Sequence, residues 1–467
     1  MFKTLPTPSP VALTRLLTPV LAACALAACS TLPTFERPPA PVAQAWPTSP
    51  PSTQGANADT AWQEVVQDAR LRQAIALALA NNRDLRLATL NMAQVRAQYQ
   101  IQSAASSPTI NAALTGSRQS TGDRGITSSY TAGLAMSGWE IDFFGRIASL
   151  KEAALAEFLA SEQARNAAQT SLVASVASTW LTVQTTEALI ALTQSTISSR
   201  EASLRLTQLR FRSGVVSALD VRQAESLLAA AQSTLAQQQQ QRALSLNALT
   251  LLVGQSLPDS AVPAPSADEA LAPVGAGLPS EVLSRRADVR AAEHQLMAAN
   301  ANIGAARAAF FPRIALTASV GTASTALSGL FESGAWGFTL APQALLPVFD
   351  AGRNQAGLEV AQARRDMAVA SYEKAIQTAF REVADALAGQ AMLMRQQSAQ
   401  QAQVQADSER LKLAQLRYDN GVSSYLEVLD AQRSLFATQQ ALSQTRLAQQ
   451  QNRVALYKAL GGGWQRP

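Results

Sequence analysis

The chain is written twice, and this internal repeat constrains the fold more than any other feature. Asn82-Arg83-Asp84-Leu85-Arg86 corresponds to Arg286-Ala287-Asp288-Val289-Arg290. At that spacing Pro108 falls on Pro312 and Ile110 on Ile314. Farther on, Gly145-Arg146 aligns with Gly352-Arg353 and Gly254 with Gly461. Leu206 to Gln232 aligns with Leu413 to Gln439, with roughly half the positions identical. The spacing is constant from Gly145 onward and differs by a few residues before it. A length change therefore falls between Pro108 and Gly145, in a loop. Alanine-rich helices resemble one another by chance, but chance would not keep proline and glycine in register.

Each copy reads helix, strand, strand, long helix, tight turn, helix. In the first copy the pattern predicts helix over 62–106, strands near 108–118 and 129–142, and helices over 147–212 and 218–253. In the second, the helix ends before Pro312, strands lie near 313–322 and 336–349, and helices cover 354–419 and 425–460. A helix of roughly 65 residues is ~95 Å long. A compact domain has no use for such a length; a tunnel across the periplasm does. Aromatics are only 5% of the chain and charges 15%, with Ala, Gln, Ser and Leu dominant, which suits long, closely packed helices.

The strand segments alternate. Ile314, Leu316, Ala318 and Val320 point one way, and Ala315, Thr317 and Ser319 the other. Ile110, Ala112 and Leu114 form a second such face; Tyr130, Ala132, Leu134 and Met136 a third; Trp336, Phe338 and Leu340 a fourth. Apolar outside with small or polar inside suits a membrane barrel with a wet lumen. Each segment is close to the ~9–11 residues that cross a bilayer when tilted. Tyr130, Trp139 and Trp336 lie near strand ends, where an aromatic girdle would sit. Four strands cannot close a barrel, and an open edge in lipid leaves backbone groups unpaired. Several chains must then pool their strands, and three would supply twelve.

The N-terminus reads as an export signal: Lys3 and Arg15 precede an apolar stretch from Leu16 to Ala28 that is too short to span a membrane. It ends in Leu26-Ala27-Ala28-Cys29-Ser30, which resembles the lipoprotein processing box, where cleavage exposes a cysteine for acylation. Leu21-Ala22-Ala23-Cys24 fits the same box. Cys29 is favoured, because a cut before Cys24 would leave an apolar stub. Ser30 suits an outer-membrane destination. The Pro-, Ser- and Ala-rich stretch that follows is expected to be an extended arm.

The sharpest motifs are two tight turns, Phe211-Arg212-Ser213-Gly214-Val215-Val216-Ser217 and Tyr418-Asp419-Asn420-Gly421-Val422-Ser423-Ser424. Gly214 and Gly421 are placed to end one helix in the left-handed conformation. Ser217 and Ser424 are placed to cap the next. Behind the tips, Val221, Ala224, Leu228, Ala231 and Leu235 match Val428, Ala431, Leu435, Thr438 and Leu442 at alternating three- and four-residue spacing, that of a coiled coil.

Other chemistry is scarce. The net charge of +5 has no cluster, so no nucleic-acid-binding face is expected. Cys24 and Cys29 are the only cysteines and His294 the only histidine. No metal site, cofactor site, nucleophile–base constellation or phosphate-binding glycine loop is readable, and an enzyme is not expected.

With these residues in view, the chain resembles the outer-membrane factor family, the TolC-like ducts, and especially its OprM-type lipoproteins. The resemblance covers nearly the whole chain. It rests on Cys29-Ser30, Trp139-Glu140-Ile141-Asp142-Phe143-Phe144-Gly145-Arg146 and Arg285-Arg286-Ala287-Asp288-Val289. It rests also on Ala291-Ala292-Glu293-His294-Gln295-Leu296, Leu429-Asp430-Ala431-Gln432-Arg433-Ser434-Leu435 and Ala459-Leu460-Gly461-Gly462-Gly463-Trp464. It implies a membrane α+β fold: a homotrimer whose twelve-stranded barrel, four strands per chain, continues into a long α-helical coiled-coil barrel. The organisation it implies is a signal peptide (1–28), a lipidated arm (29–60), a first repeat (61–255), an equatorial linker (256–280) and a second repeat (281–467).

The resemblance further implies a periplasmic tip closed at rest and opened by a periplasmic adaptor and an inner-membrane pump. Leu426 and Asp430 match constriction rings, and Glu427 a further acidic ring. Three-fold symmetry would raise the proton affinity of these carboxylates and make a cation-attracting throat. Tyr418 and Asp220 match a pair that latches neighbouring coils, whereas Ser423 stands where TolC carries a latch arginine. Gly214, Val215, Ser217, Gly421, Val422 and Ser424 would form the surface that the adaptor grips. The function implied is a passive exit duct for drugs and other small toxic compounds delivered by a resistance-nodulation-division pump. The alternatives are a duct for a protein exporter or metal-ion pump, and a periplasmic coiled-coil tether.

Overall fold

A computed structural model describes residues 33–47, 60–120, 125–264, 270–275 and 285–462. The expected signal peptide, Cys24 and Cys29, half of the arm and parts of the linker lie outside the described residues.

The single helix expected over 62–106 is three: α1 (Trp62–Val65), α2 (Ala69–Asn81) and α3 (Arg83–Ala104). Two polar side chains cut it. Asp68 Oδ1 accepts from the amides of Arg70 and Leu71 at 2.7 and 3.0 Å, capping α2. Asn82 takes an extended backbone, and its Oδ1 accepts from the Leu85 amide at 2.9 Å. Apolar periodicity runs through both caps, which is why the breaks were not legible from it.

The chain continues with β1 (Ile110–Ser120), β2 (Ile126–Glu140), α4 (Arg146–Arg212), α5 (Ala218–Val253), α6 (Ala287–Ala308), β3 (Arg313–Ser324), β4 (Trp336–Leu345), α7 (Arg353–Asp419) and α8 (Tyr425–Ala459). The last expected strand stops at Leu345 and not at Phe349: Leu345 lies opposite Arg313, the first residue of β3, so its partner strand ends there. The long helices α4 and α7 have 67 residues each, ~100 Å at 1.5 Å per residue.

Two compact units emerge, and each takes segments from both copies of the repeat. The first comprises Met1–Pro39, Asn91–Ser161 and Ala291–Tyr372; the second comprises Ala40–Leu90, Glu162–Arg290 and Glu373–Pro467.

The first unit holds one antiparallel sheet in the order β1-β2-β3-β4. Its register gathers the four alternating patterns onto one face. Leu114 lies opposite Ala132, Leu134 opposite Val320, and Val320 opposite Phe338. The other face is small or polar: Thr115 pairs with Thr131, their hydroxyls 2.5 Å apart, and Ser319 pairs with Thr339. A register shift between Met136 and Trp139 keeps Trp139 on the apolar side, opposite Leu316. That face is uncovered in the chain: Leu114 is 74% exposed and Phe338 73%.

Gly133 and Gly321 face each other across β2 and β3. A Cβ on either would lie 2.2 Å from a carbonyl oxygen of the other strand. Gly133→Val is therefore expected to cost about 1–3 kcal/mol by overpacking. The check is the temperature at which the purified protein loses its β signal in circular dichroism; no drop would show that the strands can part freely.

The motif from Trp139 to Arg146 forms the corner between β2 and α4. Glu140 accepts from Arg146 Nε and Nη2 at 2.7 Å each, and Arg313 Nε lies 2.5 Å away. Asp142 Oδ2 accepts from the Ala148 amide at 2.7 Å in the first turn of α4.

The second unit carries the apolar core, in which Trp180, Ile75, Leu249, Leu387 and Leu456 are almost wholly buried. The repeat reappears here as geometry. Asn82 donates from Nδ2 to the Leu252 carbonyl at 2.8 Å, and Arg286 from Nη1 to the Ala459 carbonyl at 3.0 Å. Each residue precedes a helix and holds the end of the last helix in its own copy. Linker residues join this unit, with the amides of Gln67 and Ala272 donating to the carbonyls of Ala270 and Val65.

Candidate functional site at the helix tips

The tips are built from two copies of one turn. The Val215 amide donates to the Arg210 carbonyl and the Val422 amide to the Arg417 carbonyl, both at 2.9 Å. These six-to-one bonds require a left-handed residue between them, supplied by Gly214 (φ 75°) and Gly421 (φ 72°). Val215, Leu219, Val422 and Leu426 are left exposed on the outside of the turns.

The caps differ. Ser217 and Asp220 form a reciprocal capping box: Ser217 Oγ accepts from the Asp220 amide at 3.2 Å, and Asp220 Oδ2 from the Ser217 amide at 2.9 Å. Ser424 occupies the N-cap of α8, but its side chain makes no capping bond, contrary to expectation. The matching acid, Glu427, turns to Arg417 at 3.9 Å instead. Ser217→Ala should cost about 1 kcal/mol of local stability, and Ser424→Ala almost nothing. Amide hydrogen exchange at the starts of α5 and α8 measures both; equal protection losses would contradict the asymmetry.

Above the turns, the helices pack through Ala224, Ala414, Tyr425, Val428, Leu429 and Ala431. Val428 and Ala431, from the expected coiled-coil row, are wholly buried. Tyr418 and Asp220 are not joined by a hydrogen bond among the described residues. Asp220 is taken by the capping box. Tyr418 lies beside the Tyr425 ring, centroids 5.0 Å apart, and beneath the Arg210 guanidinium at 4.9 Å.

Asp430 has partners that sequence reasoning missed. Its Oδ2 accepts from Arg410 Nη2 at 2.5 Å and its Oδ1 from Arg433 Nη2 at 2.6 Å. The bonds to Arg410 and Arg433, with the positive charges behind them, hold this carboxyl below the usual carboxylate range. The expected rise in proton affinity belongs to carboxylates brought together by three-fold symmetry; within one chain the two arginines act in the opposite direction. Arg433, three residues away on the same helix, was findable from spacing. Arg410 lies on α7, and only tertiary structure brings it close. Among the described residues no group of acidic, histidine or cysteine side chains could hold a metal ion.

A sheet with one apolar face, two very long helical hairpins and a doubled tip can now be compared with known proteins. The sequence profile of the outer membrane efflux protein family matches residues 74–255 and 278–462. The chain belongs to that family. It is 46% identical over 462 residues to the toluene efflux pump outer membrane protein TtgC of Pseudomonas putida, covering 96% of each chain. Its identity to outer membrane protein OprJ of Pseudomonas aeruginosa is 46% over 458 residues, covering 95% of each. Among solved structures it is similar to the open-state MtrE outer membrane channel of Neisseria gonorrhoeae. That match has a TM-score of 0.87 at 39% identity and covers 94% of this chain and 99% of that one. The fold is that of the efflux-family channels: long helices with one four-stranded sheet per chain.

Proposed function

We propose that this chain is the outer-membrane exit duct of a tripartite efflux system, anchored by a lipid on Cys29 and working as a homotrimer. The observation that carries this reading is the sheet. Its apolar face is uncovered, and β1 and β4 are each paired on one side only among the described residues. Such edges persist in a bilayer only if other copies pair them, and three copies close a twelve-stranded barrel. The division into repeats at 61–255 and 281–467 around a linker at 256–280 rests on the alignment of the two halves and the twofold profile match.

In this reading the helices form the periplasmic barrel. Leu426, Glu427, Asp430, Tyr418 and Asp220 belong to its gate. The exposed turns at Gly214, Val215 and Ser217, and at Gly421, Val422 and Ser424, meet a periplasmic adaptor. The cargo is small toxic compounds, supported by relatives named for toluene and antibiotic efflux. The chain supplies passage and no catalysis; an inner-membrane pump of the resistance-nodulation-division class supplies the energy.

Photo-crosslinking in cells from Ser217 and Ser424, followed by mass spectrometry, tests the assignment. Capture of the adaptor of a proton-driven drug pump is expected. Capture of the adaptor of a protein exporter or a metal-ion pump would move the cargo to that class.

A further inference from the structure

The two corners that lead from the sheet into the long helices are repeat counterparts, and one of them lacks the counter-charge of the other. Gly145-Arg146 corresponds to Gly352-Arg353, and at that spacing Glu140 falls on Pro347. Arg146 donates from Nε and Nη2 to Glu140, at 2.7 Å each. Arg353 is exposed, and its guanidinium makes no hydrogen bond or ion pair among the described residues. Asp350, the acid nearest to it in sequence, is turned to the first amides of α7. Its Oδ1 accepts from Gly352 at 3.0 Å and its Oδ2 from Asn354 at 2.9 Å.

Both corners wall one cavity of about 400 Å³. The Phe144 and Phe311 rings line it, stacked with centroids 4.9 Å apart, together with Phe143 and Leu346. Glu140, Arg313 and Leu345 contribute from the strands. Glu140 lies opposite Ala315 and Arg313 opposite Leu345, so all three stand on the Thr317 side of the sheet. That is the side a barrel turns to its lumen. The lining holds three arginines against two acids. Glu140 is shared by Arg146 and Arg313, and Asp142 accepts from the Ala148 amide.

A cavity of this size suits a drug-sized molecule, held by apolar walls and a few placed polar groups. A guanidinium matches a carboxylate through two parallel bonds. The chain makes that pairing at Arg146 and leaves it unmade at Arg353. We infer that the cavity is a resting site for amphiphilic carboxylates, molecules with an apolar ring body and one carboxylate, on their way through the duct. The carboxylate pairs with Arg353 as Glu140 pairs with Arg146, and the ring body lies against the phenylalanines. Retention is weak, because water competes for an exposed guanidinium. That such molecules are cargo rests on the exit-duct reading; the site itself is formed within one chain.

Calorimetric titration of the full-length protein in a non-ionic detergent, corrected with empty micelles, tests the site. The probes share one ring system: 1-naphthylacetate, 1-naphthylacetamide and 1-naphthylmethylammonium. At neutral pH the carboxylate should bind about three- to tenfold more tightly than the amide. Arg353→Ala should lower carboxylate affinity to that of the amide and leave the amide unchanged. Arg353→Glu should reverse the order and favour the ammonium probe. Arg118, opposite Ser128, stands at the far end of the sheet, so Arg118→Ala removes an equal charge there and should change nothing. Equal affinity for carboxylate and amide, no response to Arg353→Ala, or the same loss from Arg118→Ala would overturn the inference. Planar-bilayer conductance is recorded on the same preparation. A conducting channel without carboxylate preference overturns the site alone, whereas a protein that binds the carboxylate through Arg353 but never conducts overturns the exit-duct reading.

Discussion

Replacing Asp430 by alanine is expected to raise the resting conductance of the reconstituted channel at least several-fold. The carboxylate is the shared acceptor for Arg410 on α7 and Arg433 on α8. Without it, two guanidinium groups are left facing one another. Exposed ion pairs contribute about 0.2–1 kcal/mol each. Two pairs in each of three copies hold the α7–α8 tips in shape by at most about 1–6 kcal/mol in all; only the part lost when the gate opens favours closure, and each ~1.4 kcal/mol of it is about tenfold in population. Arg410→Ala should act in the same direction with a smaller effect, because Arg433 still holds the acid.

The pH dependence follows from the sign of the shift. Arg410 and Arg433 lower the Asp430 pKa in the folded tip. The contribution to closure is therefore complete above the ordinary carboxylate value of about 3.9 and is lost only as pH falls through the lower folded value. Conductance should be flat from neutral pH to about pH 5 and rise only below about pH 4. A rise centred near pH 6 would mean that carboxylates crowded across the three copies, and not the arginines, govern the gate.

The largest effect on stability is expected at Arg286. Its side chain is only 6% exposed and is held by Asp288 at 2.6 Å, Glu382 at 2.7 Å and the Ala459 carbonyl at 3.0 Å. Asp288→Asn together with Glu382→Gln leaves this cation buried without a counter-charge, which should cost about 3–5 kcal/mol. Arg286→Met removes the cation itself and should cost less. Thermal unfolding of the three proteins measures the order, and a double variant no less stable than Arg286→Met would contradict it. Burial alone would raise the Asp288 pKa, but its bonds to Arg286 outweigh burial and lower it. The brace is therefore present at neutral pH and lost in strong acid.

The sheet was legible because alternation has a period of two and each strand showed it. Leu134, Val320 and Phe338 each fall on the apolar side of their own strand's alternation, and the register puts them side by side. The tips were legible because glycine punctuation survives in both copies. The breaks at Asp68 and Asn82 were hidden: capping is a local polar event that leaves the apolar period untouched. The Asp430 clamp was half visible, since Arg433 is a helical neighbour and Arg410 is not. The unequal caps were invisible, because Glu427 forgoes Ser424 for Arg417, a choice made by tertiary geometry and not by residue type.

The central claim is that three copies of this chain form a conducting outer-membrane duct. Planar-bilayer recording of the purified full-length protein, with its native mass measured on the same sample, tests it most directly. Discrete conductance steps carried by a trimer are expected. A monomer in detergent, or a trimer that never conducts even with Asp430→Ala, would contradict the claim and leave a periplasmic coiled-coil tether in its place.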